Sequence, residues 1–385
     1  MNKLILASAS TLALLAASPV LGQSNNSALT QNGNANGATV SQSGSNATST
    51  VSQLGDNNLT TVTQSGNGAK ATVNQGGTPN AEEQSRFGLS NAPYSSSGAE
   101  ATITQSSAAT ASIDQIAVSG GATRDVKATI TQGGGATGST AAIRQRLSGA
   151  ATAEIEQTGA NNDSTIKQYQ GNHTALNRQS GEDNSSTIDQ GGSNTHATVT
   201  QSGDRNGSEV FIFGNNDGVY VDQIGADNSS HVGQNGTSNG TAIVSQSGDR
   251  NASSVNQGEQ SYANVNQQGS DGSSIVNQQF GETANVTQTA TADGARSTIN
   301  QSAGTWSFHD NEATVTQSGI DVVSDITQFG TGMTAAVTQG GTGSTSDIDQ
   351  SGANQTATVT QTSDYNVSTI SQSGMGNTAV VTQGP

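Results

Sequence analysis

Residues 350–383 read QSGANQTATVT, QTSDYNVSTIS, QSGMGNTAVVTQ. Gln350, Gln361, Gln372 and Gln383 return every eleven residues. The same step runs upstream through Gln317, Gln328 and Gln339, and recurs near the start at Gln31, Gln42, Gln53, Gln64 and Gln75. A branched aliphatic stands two residues before these glutamines: Val40, Val51, Val62 and Val73, then Ile326, Val337, Ile348, Val359, Ile370 and Val381. A glycine often stands two residues after, as at Gly44, Gly55, Gly352 and Gly374, and Asn354 and Asn377 mark the same turns. A unit this short cannot bury a core by itself. It must stack on copies of itself.

Alternate residues of a strand share a face. Ala38, Val40 and Gln42 therefore point one way, and Thr39 and Ser41 the other. The following Gly and Asn are turn formers, one tolerating positive φ and the other bonding its own backbone. Each half-repeat thus reads as one short strand and one tight turn. The residue four before each glutamine reveals a longer period: Ala153, Ser164, Ala175, Ser186, Ala197 and Ser208 alternate, and the alternation resumes through Ser368 and Ala379. The unit is then a 22-residue strand-turn-strand-turn, with alanine strands in one sheet and serine strands in the other. The expected fold is all-β: a β-solenoid of about 15 such turns with two facing, parallel, in-register sheets. Stacking in register sets Gln over Gln, so their amides bond along the axis. Each buried Val or Ile contributes roughly 1.5–3 kcal/mol.

The pattern assigns residues 1–22 to a secretory signal, with Lys3 as its positive region, Leu4 to Ala17 as its apolar region, and Gln23 as the mature start. Residues 23–91 hold a first block of repeats, with Arg86 in a glutamine slot. Residues 92–100 read as a loop insertion, where Pro93 blocks a regular ladder. Residues 101–385 form the main array, with bulged loops near 116–129 and 302–312, the latter carrying Trp306, Phe308 and His309. Ile212 takes a glutamine slot.

Composition narrows the function. Only 30% of residues are hydrophobic and 3% aromatic, which alone suggests disorder. The regular placement of the apolar residues argues instead for burial by stacking. A net charge of −17 disfavours nucleic acid. The absence of cysteine removes disulfides and thiol chemistry. No segment after the signal is apolar enough to enter a membrane. His173, His196, His231 and His309 lie on different half-repeats without metal-ligand spacing. Acidic turns such as Asp183, Asp204 and Asp249 lack the nine-residue spacing of calcium-binding rolls. No catalytic set, metal site or cofactor is expected. Glu154, Glu156, Lys167, Asp189, Asp222, Asp325, Asp347 and Asp349 fall on the outward side, where charge opposes lateral sheet association.

The segments 350–361 and 372–383 resemble the curlin repeat, in which two glutamines eleven apart bracket Gly, Asn and Ala. Gly374, Asn377 and Ala379 occupy those slots. The resemblance extends over nearly the whole chain after the signal. It implies a curli-type subunit: a secreted β-solenoid exported through an outer-membrane pore and assembled with itself, and with a nucleator subunit, into extracellular amyloid fibres for adhesion and biofilm matrix. The chain departs from the familiar five-repeat subunits in having many more repeats. It also has a short segment between Gln23 and Gln31, where the major subunit carries a longer export segment. The last strand, Asn377 to Gln383, has no cap after it, and an open end would template the next copy. The alternative is a monomeric binding solenoid. An adhesin would use its loop insertions. An ice-binding solenoid would use Thr198 and Thr200, Thr314 and Thr316, or Thr358 and Thr360, but neighbouring half-repeats put other residues there and break the array.

Overall fold

A computed structural model describes residues 12–14, 24–81, 84–85, 92–117, 125–147, 149–302 and 310–384. The protein is a β-solenoid of about 15 turns built from two parallel sheets. Successive strands alternate between the sheets, so a strand pairs with the one two further along the chain, except around the short strand Ser96–Ser97, which lies off this path and is passed over. A helical turn, closed by the Gln84 amide on the Asn80 carbonyl, is an exception to the β structure.

The chain forms two compact units. The first comprises residues 1–183 and 187–193, the second residues 184–186 and 194–385. In the first, the alanine sheet runs through Gly37–Gln42, Leu59–Gln64, Ala99–Gln105, Val126–Gln132, Ala151–Thr158 and His173–Ser180. The opposing serine sheet includes Thr48–Asp56, Lys70–Gln75, Thr110–Ala117, Thr140–Leu147 and Asp163–Gln170. In the second, the alanine sheet opens with Thr195–Asp204 and Gly218–Ala226 and closes with Thr356–Gln361 and Thr378–Gln383. Its serine sheet runs from Gly207–Asn215 to Thr345–Ala353 and Val367–Met375.

Register is the expected one. Val337 pairs with Val359 and Gln339 with Gln361 in the alanine sheet, Ile348 with Ile370 and Gln350 with Gln372 in the serine sheet. Inward side chains alternate with outward ones along every strand, because a strand's side-chain period is two. Val62, Val73, Ile326, Ile348 and Val359 are fully buried, and Val40, Val51, Val337 and Ile370 nearly so. Val381, in the last strand, is half-buried.

Several details differ from the sequence expectation. Within 92–100, Ser96–Ser97 pairs with Gly55–Asp56 and a regular strand starts at Ala99. Within 116–129, Val126 to Gln132 already pairs in register with Ala99 to Gln105. The alternating pattern resumes before each loop assignment ended, since one outward residue fits a loop as well as a strand. Leu12–Leu14, inside the stretch read as a signal, pairs with Ala38 to Val40. The rest of that stretch to Gln23, Arg86, residues 118–124, and Trp306, Phe308 and His309 lie outside the described residues. Asp189 does not face solvent. It is 5% exposed, and the outward Ile116, Arg146 and Tyr169 of the same sheet are likewise buried. There the Arg146 guanidinium turns back onto Asp114, 2.6 Å from its carboxylate and 3.1 Å from its carbonyl oxygen. The outer side of the serine sheet is therefore covered in this stretch.

Candidate functional site: the amide ladders

The glutamines come together as continuous side-chain ladders. In the second unit, the Gln317 amide nitrogen donates to Gln339 Oε1 at 3.0 Å, Gln339 to Gln361 at 2.9 Å, and Gln361 to Gln383 at 2.8 Å. On the facing sheet, Gln328 donates to Gln350 and Gln350 to Gln372, each at 2.9 Å. In the first unit, Gln31 donates to Gln53 and Gln53 to Gln75, while Gln42 donates to Gln64. Insertions do not break the sequence of donors. Gln64 reaches Gln105 across 41 residues and Gln75 reaches Gln115 across 40.

Each of these nitrogens has a second N–H, and it ties the two sheets together. Gln361 also donates to the Thr345 carbonyl at 2.9 Å, and Gln328 to the Glu312 carbonyl at 3.1 Å. Both carbonyls belong to the first residue of a strand in the opposite sheet. One side chain thus uses both donors and its acceptor while buried, as a buried amide requires. Ile212 interrupts this accounting. It is buried opposite Gln234, and among the described residues Gln234 Oε1 is left buried without a donor.

A second ladder was not legible in the sequence as such. Asparagines expected to bond their own turn instead bond the next rung. The Asn206 backbone N–H donates to Asn184 Oδ1 at 3.0 Å, and the Asn228 N–H to Asn206 Oδ1 at 3.1 Å. Asn206 Nδ2 donates to the Gly225 carbonyl at 2.9 Å. The signal available was their place two residues before the Ala or Ser position, which puts them at the corner facing inward. Asn354, by contrast, lies exposed in the left-handed region at φ 53°. Asn377 is at a corner, its amide on the Ser373 carbonyl at 2.8 Å.

The turn glycines are required for two reasons. Gly55, Gly352 and Gly374 adopt positive φ. A Cβ on Gly352 would overlap the Gly374 carbonyl oxygen, and one on Gly44 the Gly66 carbonyl oxygen. Stacked turns approach too closely there for any side chain.

Charges form ladders at one corner of the second unit. Arg205 makes a two-pronged pair with Asp227, both contacts at 2.8 Å, and Arg250 with Asp271 at 2.7 and 2.8 Å. The guanidinium beside each holds the Asp227 and Asp271 carboxyls below the ordinary carboxylate range. Glu282 is the opposite case. It is fully buried in a corner slot, and burial pushes its carboxyl up to about 7 despite bonds from the Gln279 and Phe280 amides and from Asn311.

The remaining candidates do not converge. His173 is buried with Nε2 2.9 Å from the Tyr169 carbonyl, His196 stacks near Tyr220, and His231 lies 3.3 Å from Glu209. Among the described residues, no three His, Cys, Asp or Glu side chains group as metal ligands. An open groove of about 610 Å³ on the outer side of the serine sheet is floored by an Asn256, Asn277 and Asn300 ladder. Among the described residues, no helix is long and apolar enough to cross a membrane.

Residues 22–55, 50–77, 178–203 and 352–384 each match the curlin associated repeat. No curated protein matches the chain. The rungs outside these stretches, such as Gln246 to Gln267 and Gln267 to Gln288, make the same glutamine contact at 2.8 Å. In these four stretches the chain carries the curlin associated repeat.

Proposed function

We propose that this chain is a secreted structural subunit that assembles with copies of itself into extracellular curli-type amyloid fibres, serving adhesion and biofilm matrix. The observation that carries the reading is the buried glutamine ladder. A ladder built from identical side chains in identical register is self-complementary. A rung from another copy meets the same donors and acceptors as a rung of the same chain. Among the described residues, Gln372 and Gln383 have no glutamine acceptor, and their nitrogens bond only the Thr356 and Val367 carbonyls. These are the positions at which a second copy would extend the stack.

In this reading the glutamines are register devices. The Val and Ile columns supply the driving force, and the Gly and Asn corners set the turns. Residues 1–22 direct secretion, 23–91 and 101–385 form the repeat blocks, and the segments near 92–100, 116–129 and 302–312 are insertions carried outside the stack. Partners are further copies, a nucleator subunit and a curli-type outer-membrane export pore. The role is structural and not enzymatic. The test is incubation of the purified mature chain. Thioflavin-T-positive fibres with cross-β diffraction support assembly; a chain that stays monomeric for days, with neither signal, contradicts it.

A further inference from the structure

The outer side of the alanine sheet in the first unit carries a regular array of hydroxyls. Parallel pairing sets Thr39, Thr61, Thr102 and Thr129 in one column. It sets Ser41, Thr63, Thr104 and Thr131 in a second column two residues along the same strands. The half-repeats that interrupt this pattern in the sequence belong to the other sheet. The insertion between Gln75 and Ala99 is skipped, because Leu59–Gln64 pairs directly with Ala99–Gln105. All eight side chains are half-buried or exposed, as expected of neighbours standing shoulder to shoulder on one side of a sheet. Among the described residues, no group bonds their hydroxyls.

Geometry fixes the repeat of this surface. Neighbouring strands lie about 4.8 Å apart, and residues two apart on a strand roughly 6.6 Å apart. The array contains no charged residue, although the chain carries a net charge of −17. Charge resumes at its borders, with the Glu100–Lys127 pair on one side and Glu154 and Glu156 in the next rung. A cation would need carboxylates and an anion would need basic groups, so neither fits. A second copy brought face to face would exchange the water on every hydroxyl for a hydroxyl of the facing copy, with no net gain in bonds. The ligand that suits a rigid, neutral, two-dimensional lattice of hydroxyls and methyls is a lattice of oxygens.

We propose that this threonine face binds ice. The hydroxyls occupy positions in the ordered water layer, the methyls sit in its gaps, and the stacked backbone holds both at fixed spacing. Rows elsewhere are less complete. Thr198 and Thr200 are followed by Tyr220 and Asp222. In the second unit, Thr287, Thr316, Thr338, Thr360 and Thr382 form one unbroken column, but Ala336 and Val380 enter the neighbouring one.

The experiment uses the freshly purified full chain as monomer, so that it is independent of fibre formation. Thermal hysteresis, ice-crystal shaping and partition into a growing ice hemisphere are measured for the parent, for Thr102→Tyr in the centre of the array, and for Thr72→Tyr on the outer side of the other sheet. Circular dichroism verifies that both variants keep the parent fold. The expected result is hysteresis and ice enrichment for the parent, loss of half or more of both in Thr102→Tyr, and no loss in Thr72→Tyr. The proposal is overturned if the parent is excluded from ice like a bystander protein, or if the two variants behave alike. It is equally overturned if Thr102→Tyr changes only sedimentation, marking a contact between copies, or only retention on crystalline cellulose.

Discussion

Gln328 and Ser324 sit in the same strand, both fully buried, and have opposite accounts with hydrogen bonding. Gln328 accepts from Gln301 at 2.8 Å and donates to Gln350 at 2.9 Å. Replacing it with alanine leaves Gln350 Oε1 without a donor and the Gln301 amide short of an acceptor. We expect Gln328→Ala to lower stability by about 1–3 kcal/mol. Thr327→Ala, on the outward side of the same strand, should change it by less than about 0.5 kcal/mol. Denaturant midpoints of the soluble monomer, with hydrogen exchange on adjacent rungs, separate the two. Among the described residues, Ser324 Oγ has no partner, nor do those of Ser208, Ser230, Ser253, Ser274, Ser297, Ser346 and Ser368 in the same column. Rung spacing is too long for one hydroxyl to reach the next. The column is satisfied at Ser164, where Asn177 replaces the usual valine of the facing sheet and donates at 2.6 Å. Burying a lone hydroxyl costs free energy that a methyl does not. Ser324→Ala should therefore raise stability by about 1 kcal/mol, read from the same midpoint; a drop of that size would mean the serine column has a bonding partner.

At the scale of the element, a strand's behaviour depends on the corner that feeds it. Glu282 precedes the strand Thr283–Gln288, in the corner slot that Asn311 fills one rung on. Its carboxyl is raised to about 7 in the folded protein from an ordinary value of 4.5. Between those values the folded state holds a proton that the unfolded state has lost. The stability from this group is full below the ordinary value and disappears as pH rises through about 7. The protein should lose roughly 3 kcal/mol from this site between the two limits. Glu282→Gln keeps an acceptor for the Gln279 amide and removes the proton. Its denaturation midpoint should be nearly the same at both ends of that range, where the parent's falls; a variant that retains the parent's slope would assign the titration elsewhere. The corners are also where sequence reading stopped short. The 22-residue turn, the two sheets and the inward Val and Gln were legible because strand periodicity and the eleven-residue step are both local signals. Whether Asn206 bonds its own turn or the next rung depends on what stacks over it, so its ladder was not. The same holds for Thr39, Thr61, Thr102 and Thr129. Their continuity exists only between alternate half-repeats, and reading adjacent ones together suggested a broken array. Asp189 occupies an outward slot, and only the packing over that side buries it.

For the molecule as a whole, the proposed assembly makes stacking within a chain and stacking between chains the same kind of chemical event. The net charge of −17 opposes lateral aggregation, while in the proposed assembly amides such as Gln372 and Gln383, which bond only backbone carbonyls, would take up a rung of another copy. Growth should then depend on inward amides at the last rungs and hardly at all on outward side chains beside them. The decisive measurement is the seeded elongation rate of fibres from monomers carrying Gln361→Ala, Gln372→Ala or Thr360→Ala. Both glutamine variants are predicted to elongate several-fold more slowly than the parent and Thr360→Ala at a rate close to it. Equal rates for all three would contradict the claim that the glutamine ladder sets assembly.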